Sequence, residues 1–185
     1  VGWGIGLGIV LNGQIYRGDG AGAGEIGHVV VEKNGKPCLC GLRGCLETVA
    51  SSHAIIERAQ KVAADNPSSE LHRFASDSQP IDLNVVIKAF EAGDTTLREI
   101  VAEVGCYLGI VMANLIGVLN IQRILITGNV ARFGEPLLQA IRDEMRGRVL
   151  PALSDGTQIE VSGLGDDIII QGAAALLLSH ELGVV

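Results

Sequence analysis

The sequence predicts an α/β fold in which a mixed sheet is flanked by helices, and three observations support this. The chain starts with a hairpin pattern, continues with helical periodicity, and ends with alternating strand and helix patterns. Hydrophobic residues make up 48% of the 185 residues, whereas aromatic residues make up only 3%. The chain can therefore bury a core, and aliphatic side chains must build it. The length indicates one domain, residues 1–185.

The first predicted element is a hairpin over residues 3–17. Apolar residues alternate with glycines from Gly4 to Ile9, and Asn12-Gly13 is a common two-residue hairpin turn. A loop rich in Gly and Ala follows at 18–27. The β-branched residues at 28–32 predict a short strand.

Helices are predicted to dominate the middle of the chain. Ser51 or Ser52 can cap a helix that ends near Asp65. The polar segment 66–80 is predicted to be a surface loop. Two further helices are predicted at 82–92 and at about 95–119, the second with apolar residues at helical spacing.

Strands and helices alternate in the last part of the chain. The pattern predicts a buried strand at 123–127, a helix at 136–149, a strand at 158–162 and a helix at 168–182. This alternation, together with the hairpin at the start, is what predicts the mixed sheet.

The formal net charge of −7 and the pI near 5.0 exclude one class of function for this chain alone. An acidic surface repels nucleic acid, and no stripe of Lys and Arg is present. Residues 104–121 approach the apolar length of a membrane span, but Gly and Asn interrupt them and favour a buried helix. No secretory signal precedes Val1, so we expect a cytoplasmic protein without a membrane partner. Because the first residue is not Met, we expect the natural protein to extend upstream.

Four residues, His28, Cys38, Cys40 and Cys45, form the sharpest local pattern. Three thiolates and one imidazole are a closed tetrahedral ligand set, which is typical of structural zinc. Cys38 and Cys40 are too close in sequence for an easy disulfide. Gly41 and Gly44 allow the loop to fold back on itself.

Two alternatives to structural zinc remain open at this point. The cysteines can be free buried thiols beside an unrelated histidine, or the metal can be catalytic, which a set of four protein ligands disfavours. Cys106 stands alone on an apolar helix pattern, and there a small core residue is the simpler interpretation.

Two carboxylates flank the cysteine pattern. Glu25 precedes His28, and Glu47 follows Cys45, so a metal that gathers the loop draws both into one neighbourhood. Carboxylates accept hydrogen bonds in fixed directions and suit sugar hydroxyls. The alternative is that both are ordinary surface acids.

The residues around these carboxylates resemble the signature of the ROK family. The matching stretches are 24–28 (GEIGH) and 38–47 (CLCGLRGCLE), and the glycine-rich start and the order of later elements are also similar. That family holds bacterial sugar kinases and sugar-responsive repressors. The resemblance implies an actin-like, ribonuclease-H-like fold of two similar halves, of which this chain is the C-terminal one with a zinc-binding loop at 28–47.

The resemblance also implies roles for individual residues. The family's sugar contacts correspond to Glu25, His28 and Glu47, with one nitrogen of the imidazole on zinc and the other on a sugar hydroxyl, so that the metal fixes the tautomer. The nucleotide-binding glycines correspond to Gly4, Gly6 and Gly128. The family's catalytic aspartate belongs to the other half, so no catalytic residue is assigned in this chain.

Two departures from the family's kinases favour a sensor over an enzyme. Trp3 replaces a small hydroxyl residue in the phosphate-binding turn, and Asn129 and Val130 stand where the kinases have glycines. Phosphoryl transfer requires a phosphate cradle, which an indole does not provide. The glycine-rich stretch alone is equally compatible with a closely packed hairpin.

The resulting hypothesis is a sugar-binding effector domain of a ROK transcriptional repressor with a structural zinc ion. Its partners would be a sugar or sugar phosphate, DNA only through a separate upstream domain, and a second copy in a homodimer. The first alternative is a sugar kinase of the glucokinase or N-acetylmannosamine kinase type, which would require ATP and Mg²⁺. The second is a zinc-stabilised domain without a ligand.

Overall fold

Two short sheets and a series of helices make up the fold over residues 1–76, 78–165 and 167–183, which the computed structural model describes. Strands β1 (Ile9–Leu11) and β2 (Gln14–Tyr16) are antiparallel. Strands β3 (Arg123–Ile126) and β4 (Gln158–Val161) are parallel. The predicted α/β class is confirmed, and both strand orientations are present, but in the described residues they form two separate two-stranded sheets rather than one mixed sheet.

The predicted turn of the first hairpin is confirmed. Asn12 and Gly13 join the two strands with φ values of 52° and 79°. Both lie in the left-handed region, which Asn and Gly tolerate best and which a tight two-residue hairpin turn requires.

The helical elements follow the predicted order, with additions. The α-helices are α1 (Glu47–Ala50), α2 (Ser52–Asp65), α3 (Leu71–Phe74), α4 (Leu83–Glu91), α5 (Thr95–Leu119), α6 (Glu135–Arg146), α7 (Pro151–Ser154) and α8 (Ile168–Glu181). Short 3₁₀ helices occupy Ile26–His28 and Asn129–Phe133. Helices α1, α3 and α7 were not predicted.

Side-chain caps explain where three of the helices begin. Ser51 Oγ accepts from the Ala54 amide at 3.2 Å at the start of α2, as predicted. An aspartate does the same for α4 and for α5: Asp82 accepts from the Val85 amide at 2.8 Å, and Asp94 accepts from the Leu97 amide at 3.1 Å.

The core lies where α5 packs against α6, α2 and α4. Helices α5 and α6 approach so closely that a Cβ on Gly105 would lie 2.4 Å from the Ala140 Cβ. A Cβ on Gly109 would lie 2.8 Å from the Glu144 Cβ. Helix α5 is long and apolar enough to cross a membrane by length and composition, but 56% of its most apolar window is buried, as in a core helix.

Three expectations from the sequence are wrong in detail. Residues 28–32 do not form a strand, because the chain leaves the 3₁₀ helix at His28 and only Val30 forms an isolated bridge. The segment 66–80, of which residue 77 lies outside the described residues, is not merely a surface loop. It contains α3, whose Leu71 is fully buried. Cys106 is half-buried rather than a core residue.

The predicted buried strand at 123–127 is also wrong in part, because β3 buries only Ile126. Leu125 is 50% exposed. The physical reason is that β3 borders a mostly apolar cavity of about 320 Å³ between residues 5–10, α5 and β3, so its side chains face open space as well as the core. Helix α8 also exposes large apolar side chains, among them Ile169 at 81%.

Candidate metal centre and adjoining carboxylates

The metal loop, residues 28–47, is a folded-back segment closed by backbone hydrogen bonds. The Val31 and Glu32 amides both donate to the Gly44 carbonyl, at 2.8 and 3.1 Å. Near the tip, the Cys38 amide donates to the Leu42 carbonyl at 2.8 Å, and the Gly41 amide donates back to Cys38 at 3.0 Å. These hydrogen bonds join the two arms of the loop, which are the segments before and after its tip. Predicted ligands that are separated in the sequence therefore come close together.

Glycine is required at the two predicted positions of this loop. Gly41 and Gly44 have φ values of 94° and 74°, in the left-handed region. A Cβ on Gly44 would also lie 1.9 Å from the Glu32 carbonyl oxygen, so no larger residue fits there without moving the arms.

The structure brings the four predicted metal ligands together. The ligand atoms of His28, Cys38, Cys40 and Cys45 all lie within 4.8 Å of one another. Cys38 Sγ lies 3.5 Å from His28 Nδ1, and Cys40 Sγ lies 3.6 Å from Cys45 Sγ. A tetrahedral ion with metal–sulfur bonds of about 2.3 Å has ligand–ligand edges of roughly 3.6–3.8 Å. This donor set and spacing can hold a metal ion.

The surroundings of two of the thiols differ. A hydrogen bond from the Leu42 backbone, at the exposed tip, lowers the pKa of Cys40 from its ordinary value. Burial raises the pKa of Cys45 to about 12. The thiolate is the form of cysteine that binds a metal. Because burial disfavours the thiolate of Cys45, this cysteine depends more than Cys40 on a nearby cation to become a ligand.

Two side-chain contacts tie the metal loop to the helices. The Tyr107 hydroxyl on α5 donates to Glu32 Oε1, and Lys36 Nζ donates to Glu57 Oε2 on α2 at 2.8 Å. Burial, together with the Glu32 carboxylate, raises the pKa of Tyr107 to about 12, so the phenol stays protonated as a donor. Sequence reasoning missed both ties because the partners lie far apart in the chain.

Glu47, the first residue of α1, reaches back to the start of the chain. Its Oε2 accepts from the Ile5 amide at 3.1 Å and would lie 2.8 Å from a Cβ on Gly4. Glycine at position 4 thus makes room for this carboxylate. Among the described residues, the other oxygen of Glu47 has no hydrogen-bond partner.

The other predicted sugar contacts lie on the adjacent 3₁₀ turn. Glu25 directly precedes this turn and is exposed. His28 ends it, with Nδ1 facing the cysteine cluster, which leaves Nε2 for another partner. Gly27 between them packs against the Ile5 carbonyl oxygen, 2.3 Å from the position of a Cβ. Gly27 on this turn and Glu47 therefore both lie against Ile5.

The predicted nucleotide-binding glycines have different surroundings. Gly4 contacts Glu47, and Gly6 has open space where a Cβ would lie. Gly128, with a φ of 90°, lies against Val1, whose carbonyl oxygen would be 2.6 Å from a Cβ. Close packing therefore explains why glycine occupies positions 4 and 128, and this explanation does not require a bound nucleotide.

The aromatic ring of Trp3 projects from the turn between Gly2 and Gly4. It is 72% exposed, and its centroid lies 4.7 Å from that of the His53 ring, at an interplanar angle of 43°. The sequence singled out Trp3, but nothing in it indicated the contact with His53 on α2.

The sequence profile of the family described as "ROK family" matches residues 1–180 of this chain. The chain belongs to the ROK family. Its actin-like α/β fold agrees with the resemblance noted from the sequence.

Relatives within the ROK family include both enzymes and regulators. The chain is 36% identical over 182 residues to a glucokinase of Halalkalibacterium halodurans, covering 98% of this chain and 55% of the relative. It is 32% identical over 170 residues to the transcriptional repressor Mlc of Escherichia coli, covering 92% of this chain and 41% of the relative. The chain thus spans about half the length of the curated relatives it matches.

Solved structures of ROK proteins also include both enzymes and regulators. A Streptomyces griseus ROK glucokinase in complex with glucose and AMPPNP superposes with a TM-score of 0.82 at 27% identity, covering 95% of this chain and 58% of that one. A ROK transcriptional regulator described as a homolog of the Escherichia coli MLC protein gives a TM-score of 0.77 at 31% identity, covering 87% and 40%. The fold is therefore common to sugar kinases and regulators.

Proposed function

We propose that this chain is the sugar-binding C-terminal half of the effector domain of a ROK transcriptional regulator, and that its metal centre is a structural zinc site. The observation that carries the proposal is Trp3. An exposed indole occupies the turn that would have to cradle phosphate, and it offers neither a hydroxyl for phosphate nor a ligand for magnesium.

The zinc assignment follows from the donor set. Three cysteines and one histidine at tetrahedral spacing satisfy zinc and leave no open coordination position. When bound, the metal supplies no reactive water. It would hold the thiolates and fix the orientation of the His28 ring.

We assign the sugar contacts to Glu25, His28 and Glu47. The Nδ1 atom of His28 faces the cysteine cluster, so Nε2 is available to a sugar hydroxyl. The Ile5 amide holds one oxygen of Glu47, so the carboxylate is oriented before the ligand arrives. Pre-oriented acceptors of this kind recognise hydroxyl groups by direction.

In a regulator, sugar binding would act through a change in the relative stability of two states. A sugar that binds the closed form more tightly shifts the population towards it, and an attached DNA-binding domain would respond. The net charge of −7 agrees with a domain that leaves DNA contact to another part of the protein.

A sugar kinase is the second candidate, because the glucokinase of Halalkalibacterium halodurans is 36% identical to this chain. In that case the turn at Gly2–Gly4 would have to bind phosphate with Trp3 moved aside. That sequence identity reflects the shared fold and the metal loop as much as the nucleotide site. We therefore give more weight to Trp3, which lies in the phosphate-binding turn itself.

One experiment separates the two candidates. The gene upstream of Val1 is sequenced, and the full natural protein is purified with zinc and incubated with ATP, Mg²⁺ and D-glucose, N-acetylglucosamine or D-xylose. We expect an upstream helix-turn-helix, no sugar phosphate, and DNA binding that changes when the sugar is added. Formation of a sugar phosphate would contradict the regulator and establish the kinase.

The site assignment is tested separately. We expect Glu25→Ala and Glu47→Ala to weaken sugar binding without loss of zinc, and His28→Ala to lower both zinc content and sugar affinity. Unchanged sugar affinity in the two glutamate variants would refute their assignment as sugar contacts, whereas no sugar binding by the wild-type protein would favour a zinc-stabilised domain without a ligand. A His28→Ala protein that loses only one of the two properties would refute the shared ligand.

A further inference from the structure

Trp3 and His53 form an exposed aromatic pair that lies outside the hydrophobic core of the described residues. Trp3 is the one tryptophan in the chain, and 72% of it faces solvent. One side of the indole contacts the His53 ring at 4.7 Å between centroids. A large aromatic side chain gains more free energy from burial than most side chains do. We therefore expect an indole that is exposed on a well-defined turn to contact a binding partner.

The backbone fixes the turn that carries the indole. The Gly2 carbonyl accepts from the Ser52 amide at 2.8 Å, and the Gly2 amide donates to the Gly4 carbonyl at 3.0 Å. On the other side, the Ile5 amide donates to Glu47 Oε2 at 3.1 Å. The ring therefore does not have to pack against the core to hold its position, and little ordering is needed when a ligand binds it.

The neighbouring group is a carboxylate. Glu47 contacts Ile5 and approaches Gly4, the residue next to Trp3. A carboxylate held against the residue that follows an exposed indole offers the two chemistries that a pyranose needs, since a pyranose has hydroxyls at its rim and C–H bonds on its faces. A nucleotide base could also stack on the ring, but the Glu47 carboxylate would repel its phosphates.

We propose that Trp3, backed by His53, is the stacking wall of the sugar site: the C–H face of a pyranose packs on the indole while its hydroxyls bind Glu47. This inference rests on the proposed function and specifies its substrate class. A ring whose hydroxyls are all equatorial presents an uninterrupted C–H face. Glucose, N-acetylglucosamine and xylose have such a ring. The axial hydroxyl of galactose interrupts one face, so galactose would have to turn its other face to the indole and present a different set of hydroxyls to Glu47.

The test uses the full natural protein loaded with zinc, and calorimetry with D-glucose, N-acetylglucosamine, D-xylose and D-galactose. We expect at least one of the first three to bind more tightly than galactose. Trp3→Ala should weaken the best of them about tenfold, the scale of one aromatic contact, whereas Trp3→Phe should retain most of the affinity. Zinc content should be unchanged in both variants.

Glu47→Gln is the matched variant that separates the two claims. If Glu47→Gln weakens sugar binding and Trp3→Ala does not, the stacking wall is wrong and the sugar site stands. If neither variant changes a measurable affinity, the sugar binds elsewhere, and both the stacking wall and the contact with Glu47 are wrong. If no sugar binds the wild-type protein, the proposed function fails as well. Tight binding of ATP that Trp3→Ala abolishes would replace the sugar with a nucleotide.

A second measurement covers the case in which Trp3→Ala does not fold. Trp3 fluorescence is taken as the difference between the wild-type protein and Trp3→Phe, and acrylamide quenching is measured with and without the best-binding sugar. A stacked sugar should shield the indole and lower its quenching at least twofold, from the 72% exposure of the free ring. Equal quenching with and without saturating sugar would overturn the proposal.

Discussion

The metal loop and the α5–α6 helix pair are held together by different forces. In the loop, Leu39 and Leu42 are 104% and 52% exposed, and the arms are joined by backbone hydrogen bonds and by the ligand cluster. In the helix pair, Leu137 and Ile141 are fully buried, and glycines let the backbones touch. If the cluster holds a metal as proposed, the loop depends on that ion and the helices depend on apolar burial, so we expect each to be disrupted without the other.

The largest expected effect is on the loop alone. Chelation of the metal, or Cys40→Ala, should cost the metal loop several kcal/mol of local stability, the order expected for a lost structural zinc site. Hydrogen exchange should accelerate at the Cys38 and Gly44 amides and stay slow in α5 and α6. Cys106→Ala, a cysteine outside the cluster, should leave the loop protected.

Equal acceleration of exchange in the loop and in α5 would show that the two regions unfold as one unit. The comparison between a metal-dependent loop and an independent helix pair would then be wrong.

The next effect breaks the helix pair and spares the loop. Gly105→Ala places a methyl group 2.4 Å from the Ala140 Cβ and should lower the free energy of unfolding by about 1–3 kcal/mol, as overpacking does. Gly117→Ala is the matched control on the same helix. Its nearest contact would be 3.8 Å away, so it should stabilise the protein by about 0.5–1 kcal/mol.

Urea denaturation of the two alanine variants measures both values. We expect their midpoints to move in opposite directions while zinc content stays constant. Two shifts of the same sign would mean that Ala140 relaxes freely and that the close approach is not a constraint.

A smaller effect tests the tie between the two regions. Tyr107→Phe removes the hydrogen bond to Glu32 and should cost about 1–2 kcal/mol, because the acceptor is a partly buried carboxylate. It should also speed the transfer of zinc to a competing chelator, since one arm of the loop is released from α5. Tyr16→Phe, on the exposed strand β2, serves as the control and should not change that rate.

The smallest effect concerns the helices, and it is the pH dependence of their stability through Asp94. Burial alone would raise the pKa of Asp94, but hydrogen bonds from Ser69, Leu97 and Glu70 lower it below its ordinary value. A carboxyl with a lower pKa in the folded state contributes stability that is complete above its unfolded pKa of about 4 and is lost as pH falls through the folded value.

Asp94→Asn should therefore be less stable than the wild-type protein at neutral pH, and the two should converge in acid. Urea midpoints measured from neutral pH down to about pH 3 check this. Parallel curves over the whole range would exclude a role for Asp94 ionisation.

The sequence was most informative where function and geometry are local. The four metal ligands lie within one short loop, and Gly41 and Gly44 indicated how it folds back, so chain connectivity alone brings them together. The capped start of α2 at Ser51 was predictable for the same reason.

Long-range contacts account for what the sequence did not reveal. The β-branched residues after His28 indicated a strand, but hydrogen bonds to Gly44 decide the path there. Leu71 is one of few apolar residues in a polar segment. Its burial, together with hydrogen bonds to Asp94 from the Ser69 hydroxyl at 2.5 Å and the Glu70 amide at 3.0 Å, orders α3. Sequence patterns do not record partners of this kind.

The position of the ligand cluster in the chain has a consequence for biosynthesis. All four proposed ligands, from His28 to Cys45, precede α2, so a ribosome releases the complete segment of the proposed zinc site before the long helices are made. Chains fold from the N-terminus as they emerge, and closing a short loop carries a small entropic cost. Zinc supply during translation is therefore expected to determine when the metal loop closes, whereas the helices made later fold by apolar burial.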